Sequence, residues 1–170
     1  MNRLFLLRHA RAAWAEPGER DFDRPLTDEG RSESIAVGAM MRENGYRPAR
    51  VVCSPARRAL ETWRGVAETL DMKPSEALLS ETLYTADAGG YLAIVRNIGA
   101  SQDSLLIVGH NPTIEDLALG LSPAGVGPAR ADLDKGFPTG GLAVLAFERD
   151  LSEAMLGVGT LEAFFMPADH

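Results

Sequence analysis

The chain has a single cysteine, Cys53, among its 170 residues. An internal disulfide framework is therefore excluded, as is a zinc site built from clustered thiolates, and a reducing, cytoplasmic setting is expected. Basic residues are also few: 17 Lys and Arg stand against 24 Asp and Glu, a formal net charge of −7. Nucleic acid, which asks for a basic face, is not an expected partner. Long apolar runs are missing too. The run at Leu4–Leu7 is far too short for a signal-peptide core or a membrane span, so no membrane partner is expected. There is no Gly-x-x-x-x-Gly-Lys loop, no His-Glu-x-x-His and no clustered Asp/His set. A Walker-type ATPase and a metal hydrolase thus have little support, and no metal or organic cofactor is expected. Six residues after Cys53 stands Ala59 rather than the arginine of a cysteine phosphatase, so Cys53 is read as a buried strand residue. The composition, 45% hydrophobic and 24% charged, is that of an ordinary globular protein, and the length suits one domain over 1–170.

Short apolar runs alternate with helical periodicities. Leu4–Leu7 and Val51–Cys53 read as strands buried on both faces, as does Ser104–Val108. Thr27-Asp28-Glu29 supplies a capping hydroxyl and an acidic first turn for a helix to about Glu43, stopped by Asn44-Gly45. Ser54-Pro55 reads as cap plus proline for a helix whose buried face carries Leu60, Trp63, Val66, Ala67 and Leu70. Asn111-Pro112 repeats that start for a helix to about Leu121. A short strand is expected near Glu76–Leu79 and a helix over Tyr91–Ile98. Ser122–Gly141, rich in Gly and Pro, reads as a long loop, and Leu142–Phe147 and Gly157–Phe165 as a final pair of strands. The pattern predicts an α/β three-layer sandwich with a mainly parallel sheet. Sites in such sheets lie beyond the carboxyl ends of the strands. Three of those ends carry Arg8-His9, Ser54 leading to Arg57, and Gly109-His110.

Each of these residues alone has a plain structural explanation, and their convergence on one sheet edge is what points to chemistry. A phosphoryl group spreads negative charge over three oxygens, which the planar fork of arginine matches. Arg57, in the first turn of its helix, would add free backbone N–H groups and the positive end of the dipole. A neutral imidazole is a competent nucleophile near neutral pH. His9 would attack phosphorus in line, and His110 would donate to the phosphoryl oxygens. Arg58, about 100° further round the helix, is read as outside the pocket, although spacing alone admits either arginine as the clamp.

Four segments in order carry a resemblance: Leu-Leu-Arg-His-Ala from Leu6, Arg-Pro-Leu-Thr-Asp-Glu-Gly-Arg from Arg24, Ser-Pro-Ala-Arg-Arg-Ala-Leu-Glu-Thr from Ser54, and Val-Gly-His-Asn-Pro from Val108. Together they resemble the histidine phosphatase (phosphoglycerate-mutase-like) superfamily, and most of all its small phosphohistidine phosphatase branch. The resemblance implies that Arg8, Arg57 and His110 form a phosphate pocket around the nucleophile His9. It also implies that Glu81, whose plain structural alternative is a helix-cap or surface glutamate, supplies a proton. Mutase-like members carry Gly after the histidine, and often Thr three and Asn six residues after it. Here those positions hold Ala10, Ala12 and Ala15, so two helper contacts to phosphate are missing. Trp14 matches an aromatic position of the pattern and reads equally well as a loop-packing residue. The chain lacks the long insertions that cover the mutase site, and an open, shallow site is expected unless Ala10–Pro25 or Ser122–Gly141 closes over it.

Three functions stay open at this stage. One is a phosphatase acting on a phosphorylated protein, such as a histidine phosphotransfer domain. The second is a phosphomonoesterase for a small phosphate ester, a sugar or nucleotide phosphate. The third is a phosphate-binding scaffold without turnover. Mutase activity, which needs a second phosphate subsite and a shielded phosphohistidine, is not expected.

Overall fold

A computed structural model describes residues 1–123 and 127–167. Strand β1 (Asn2–Arg8) has Leu4 to Leu7 fully buried, because it runs near the middle of a six-stranded sheet of order β3-β2-β4-β1-β5-β6. Strands β2 (Arg50–Cys53), β3 (Ala77–Leu79) and β4 (Ser104–Gly109) are parallel with β1. Strands β5 (Leu142–Phe147) and β6 (Thr160–Phe165) complete the sheet antiparallel, as the expected terminal pair.

Side chains alternate across the sheet. Phe5 and Leu7 join Val51, Val37, Met41, Trp63 and Val66, under helices α1 (Asp28–Glu43) and α2 (Arg57–Thr69). Leu4 and Leu6 face the other way, joining Leu105, Ile107, Tyr91, Val95, Ile114 and Leu117, under α4 (Ala88–Ile98) and α5 (Thr113–Leu121). The short α3 (Thr82–Thr85) precedes α4. This is the three-layer α/β sandwich with a mainly parallel sheet that the sequence predicts.

Local signals set both ends of α1. Thr27 Oγ1 accepts the Gly30 amide at 3.0 Å, and α1 ends at Asn44, followed by Gly45 at φ +71°. Three expectations need correction. Ser54-Pro55 does not open a helix: α2 begins at Arg57, with Ala56 at its cap. The helix after Asn111-Pro112 begins at Thr113. Ser122–Gly141 is not a loop throughout, since α6 (Pro128–Asp134) lies within it and buries Leu133 in the core. Gly127, at φ +95°, and Pro128 at the first helical position set up that helix. Residues 124–126 lie outside the described residues.

The register fixes where the functional loops emerge. Arg8 pairs with Gly109, and Cys53 with Val108. His9, His110 and Ser54 therefore leave the sheet at one edge, beyond the carboxyl ends of three adjacent parallel strands. Among the described residues, no helix is long and apolar enough to cross a membrane. A hollow of about 660 Å³ at the opposite end of β1, lined by Met1, Phe147, Arg149, Met155 and their neighbours, contains no histidine.

Candidate active site

His9 is the first residue past β1, and its backbone N–H donates to the Gly109 carbonyl at 3.0 Å. Its ring Nδ1 lies 2.8 Å from the Ala10 carbonyl oxygen. A carbonyl can only accept, so Nδ1 carries the proton and the lone pair of the neutral ring is on Nε2. The same residue, Ala10, is held through its amide as well. The Ala10 N–H donates to Thr62 Oγ1 at 2.9 Å, and the Thr62 hydroxyl donates to the Arg58 carbonyl at 2.7 Å. His9 is 9% exposed. Burial above all pushes its pKa down to about 4; the Ala10 contact opposes this and the cations of Arg58, Arg8 and Arg24 reinforce it. The ring is accordingly neutral at pH 7.

His110, past the end of β4, brings its ring to 5.3 Å from that of His9, centroid to centroid. It is also 9% exposed. Burial, with help from His9 and Arg58, takes its pKa down to about 3. Its Nε2 lies 2.7 Å from Ser54 Oγ. Among the described residues, two buried side-chain nitrogens have no hydrogen-bond partner, Arg8 Nε and His110 Nδ1. Buried polar groups are rarely left so, and both belong to this pocket.

Arg8 is half-buried, and its Nη1 donates to the Phe137 carbonyl at 2.8 Å; burial lowers its pKa. The second arginine of the pocket is Arg58, not Arg57. The Arg58 side chain is 8% exposed, against 55% for that of Arg57. Arg57 turns to solvent and pairs with Glu61 Oε2 at 2.9 Å. The phase of α2 decides this: Thr62, four residues after Arg58, touches the His9–Ala10 turn, so positions 58 and 62 face the pocket while 57 and 61 share the outer face. Glu81 sits exposed at the cap of α3. Its carboxylate makes no hydrogen bond to a described residue, so the structure does not bring it into the cluster.

Two residues without a sequence signal do join it. Asp21, in a single 3₁₀ turn (Asp21–Asp23), accepts Arg58 Nη2 at 3.0 Å, Tyr84 Oη at 2.7 Å and Arg24 Nη1 at 2.9 Å. The Asp21 carbonyl takes Arg58 Nη1 at 2.8 Å. The Tyr84 hydroxyl, then the arginines, hold the Asp21 carboxyl far below the usual carboxylate range. Tyr84 sets its ring edge-on to His110 at 5.5 Å. The Ala10–Pro25 segment is thus anchored beside the histidines through Asp21. Trp14 is 89% exposed, with the Arg24 guanidinium of the same loop over its ring at 5.8 Å. Among the described residues, no group of three or more His, Cys, Asp or Glu is placed to hold a metal.

The arrangement can present a nucleophilic nitrogen to an anion held by two guanidiniums and a second imidazole. The comparisons with known proteins agree with that chemistry. The family model of the histidine phosphatase superfamily (branch 1) matches residues 4–91. An uncharacterized protein of Mycobacterium tuberculosis is 35% identical over 163 residues, covering 95% of this chain and 99% of the relative. The phosphohistidine phosphatase SixA of Escherichia coli is 30% identical over 129 residues, 74% of this chain and 78% of its own. A solved structure of the protein histidine phosphatase SixA complexed with tungstate superposes with a TM-score of 0.79 at 27% identity, covering 97% of each chain.

Proposed function

The chain belongs to the histidine phosphatase superfamily, and from that premise we propose that it hydrolyses protein phosphohistidine through a covalent phosphohistidine on its own His9. The observation that carries the mechanism is the His9 Nδ1 contact to the Ala10 carbonyl, which leaves Nε2 as the nucleophile. Nε2 forms a bond to phosphorus as the bond to the leaving group breaks. Arg8, Arg58 and His110 take the charge on the phosphoryl oxygens. Water then attacks phosphorus, the N–P bond breaks, and inorganic phosphate leaves with His9 restored. Arg57, given the clamp's role by the sequence, is replaced in it by Arg58.

The substrate class rests on the relatives bearing the SixA name and on the leaving group. A departing imidazole is far less basic than an alkoxide, so it asks for less of a proton donor. That suits a site whose expected acid, Glu81, stands at the exposed cap of α3. The proton that the leaving nitrogen does take is assigned to Glu81, three residues before Tyr84, whose ring stands edge-on to His110. The low exposure of His9 and His110 favours one second reading, a phosphatase for a small, slender phosphate ester. A phosphorylated protein would have to extend its phosphohistidine into the pocket.

The test is turnover, without metal, of an aryl phosphate and of a phosphohistidine-bearing phosphotransfer domain by the protein and by His9→Ala. Faster turnover of the phosphodomain, lost in His9→Ala, is the expected result. Turnover of the aryl ester alone would move the assignment to small phosphate esters. Activity that survived His9→Ala, or no activity and no trapped phosphoenzyme, would remove His9 as nucleophile.

A further inference from the structure

Ser54 stands where the sequence suggests a helix cap, yet its hydroxyl caps nothing in α2. It is fully buried at the end of β2, with its backbone N–H on the Val108 carbonyl at 3.0 Å. Its Oγ accepts the Ala56 N–H at 3.3 Å and lies 2.7 Å from His110 Nε2. A hydroxyl has one proton to give. Among the described residues, the groups within hydrogen-bond distance of Oγ are the Ala56 N–H, which can only donate, and His110 Nε2, so the buried hydroxyl proton has the Nε2 lone pair as its acceptor. We propose that Ser54 is a positioning residue that holds His110 as the Nδ1–H tautomer, so that its buried, unpartnered nitrogen becomes a hydrogen-bond donor to the phosphoryl group.

Three observations support the assignment. His110 Nδ1 is one of two orphaned buried side-chain nitrogens among the described residues, and the other, Arg8 Nε, belongs to the same pocket. The position of the ring is fixed independently, by the His110 amide on Tyr91 Oη at 3.2 Å and by the Tyr84 ring at its edge. Burial keeps the ring neutral at pH 7, so which nitrogen carries the single proton decides whether the ring meets an anion as donor or as acceptor. With the proton on Nε2, the Nδ1 lone pair would face the phosphoryl oxygens and repel them.

The inference rests on the phosphatase reading for its catalytic consequence, but not for its geometry. The experiment is nitrogen NMR of the full chain labelled at histidine, together with steady-state kinetics, on the protein, Ser54→Ala and Ser54→Thr. The wild-type His110 should show a protonated Nδ1 and a bare Nε2. Ser54→Ala should shift the ring towards the other tautomer and lower kcat by about 10–100-fold, the scale on which metal-bound histidines respond to loss of the partner that fixes their tautomer, with a smaller change in KM. Ser54→Thr, which keeps the hydroxyl, should recover the wild-type tautomer and part of kcat. A wild-type His110 protonated at Nε2 overturns the proposal whether or not any variant folds. A folded Ser54→Ala with unchanged tautomer, or with unchanged kcat, overturns it as well. If the protein turns over neither substrate, the phosphatase reading fails, and the wild-type spectrum still decides the tautomer.

Discussion

Arg58 and Asp21, far apart in sequence, meet twice: Arg58 Nη2 on the Asp21 carboxylate at 3.0 Å and Nη1 on its carbonyl at 2.8 Å. The guanidinium is therefore oriented before any substrate arrives, while its neighbour Arg57 is tied to Glu61 in solvent. Removing one preorganised donor from an anion-stabilising site costs about 10²–10³ in kcat. Arg58→Ala should lose activity on that scale. Arg57→Ala, which gives up only a solvent-exposed pair with Glu61, should stay within about twofold of the wild type. Equal losses in the two variants would return Arg57 to the pocket.

Asp21→Asn keeps the shape and removes the charge that Arg58, Arg24 and Tyr84 share. Arg58 would then be held chiefly through the Asp21 carbonyl. We expect kcat to drop by about tenfold, less than in Arg58→Ala because the guanidinium remains. Combining Asp21→Asn with Arg58→Ala should add little, since both act through one group. Independent, additive losses in that cycle would show that Asp21 acts by another route.

How far the sequence reveals this site depends on the range of the interactions. Thr27 and Asn44-Gly45 are local signals, and α1 runs between them as expected. The buried strands are visible as continuous apolar runs, and with them the sheet edge that gathers Arg8, His9 and His110. The choice between Arg57 and Arg58 depends on where α2 starts and on its phase. Ser54-Pro55 looks like a helix start, but the Ser54 hydroxyl is turned to His110. The Arg57–Glu61 spacing, an i,i+4 pair, is the one clue that Arg57 faces outward. Asp21 and Tyr84 carry no local signal, because their roles come from contacts 37 and 63 residues away in sequence. The helix α6 hides among glycines and prolines, being short and held by the burial of Leu133.

Thr62 connects α2 to the nucleophile: its Oγ1 takes the Ala10 N–H, and the neighbouring Ala10 carbonyl orients His9. Thr62→Val keeps the volume and leaves that buried amide unpaired, a cost of about 1–3 kcal/mol. For a chain of this size, about 2–4 °C of Tm is expected per kcal/mol. The rate should fall beyond what the lost stability explains, because the His9 ring loses its fixed orientation. Calorimetry beside kcat at a temperature where the variant is fully folded separates the two. A lower Tm with an unchanged kcat would make Thr62 purely structural.

Gly109 has no room for a methyl group: a Cβ there would lie 2.7 Å from Tyr91 Oη and 2.9 Å from the Tyr91 ring. Tyr91 is fully buried, and its hydroxyl donates to the Leu83 carbonyl and contacts the His110 amide. It has nowhere to move without disturbing His110. Gly109→Ala should cost about 1–3 kcal/mol from overpacking and lower kcat through His110. Wild-type stability and kcat in this variant would mean that the edge of the sheet yields more readily than its burial suggests.

The two active-site histidines also set how stability depends on pH. In the unfolded chain each takes its proton near pH 6.5. In the folded chain His9 stays neutral down to about 4 and His110 down to about 3. Between those values the unfolded state binds more protons, so stability must fall as the pH drops below about 6.5 and be insensitive to these groups above it. Carboxylates held low by their partners, such as Asp21, act in the same direction. They begin only near pH 4, where an unfolded aspartate titrates. The interval from pH 6.5 to 5 therefore belongs to the histidines, and a loss of the order of a few kcal/mol is expected there. Urea midpoints at pH 7.5, 6.5 and 5 should fall in that order for the wild type, with nearly all the change below 6.5. His9→Gln combined with His110→Gln should flatten the profile over the interval. A wild-type profile already flat from pH 7.5 to 5 would mean that the two rings take up protons in the folded protein as readily as in water, which is incompatible with a neutral His9 nucleophile protected by its own burial.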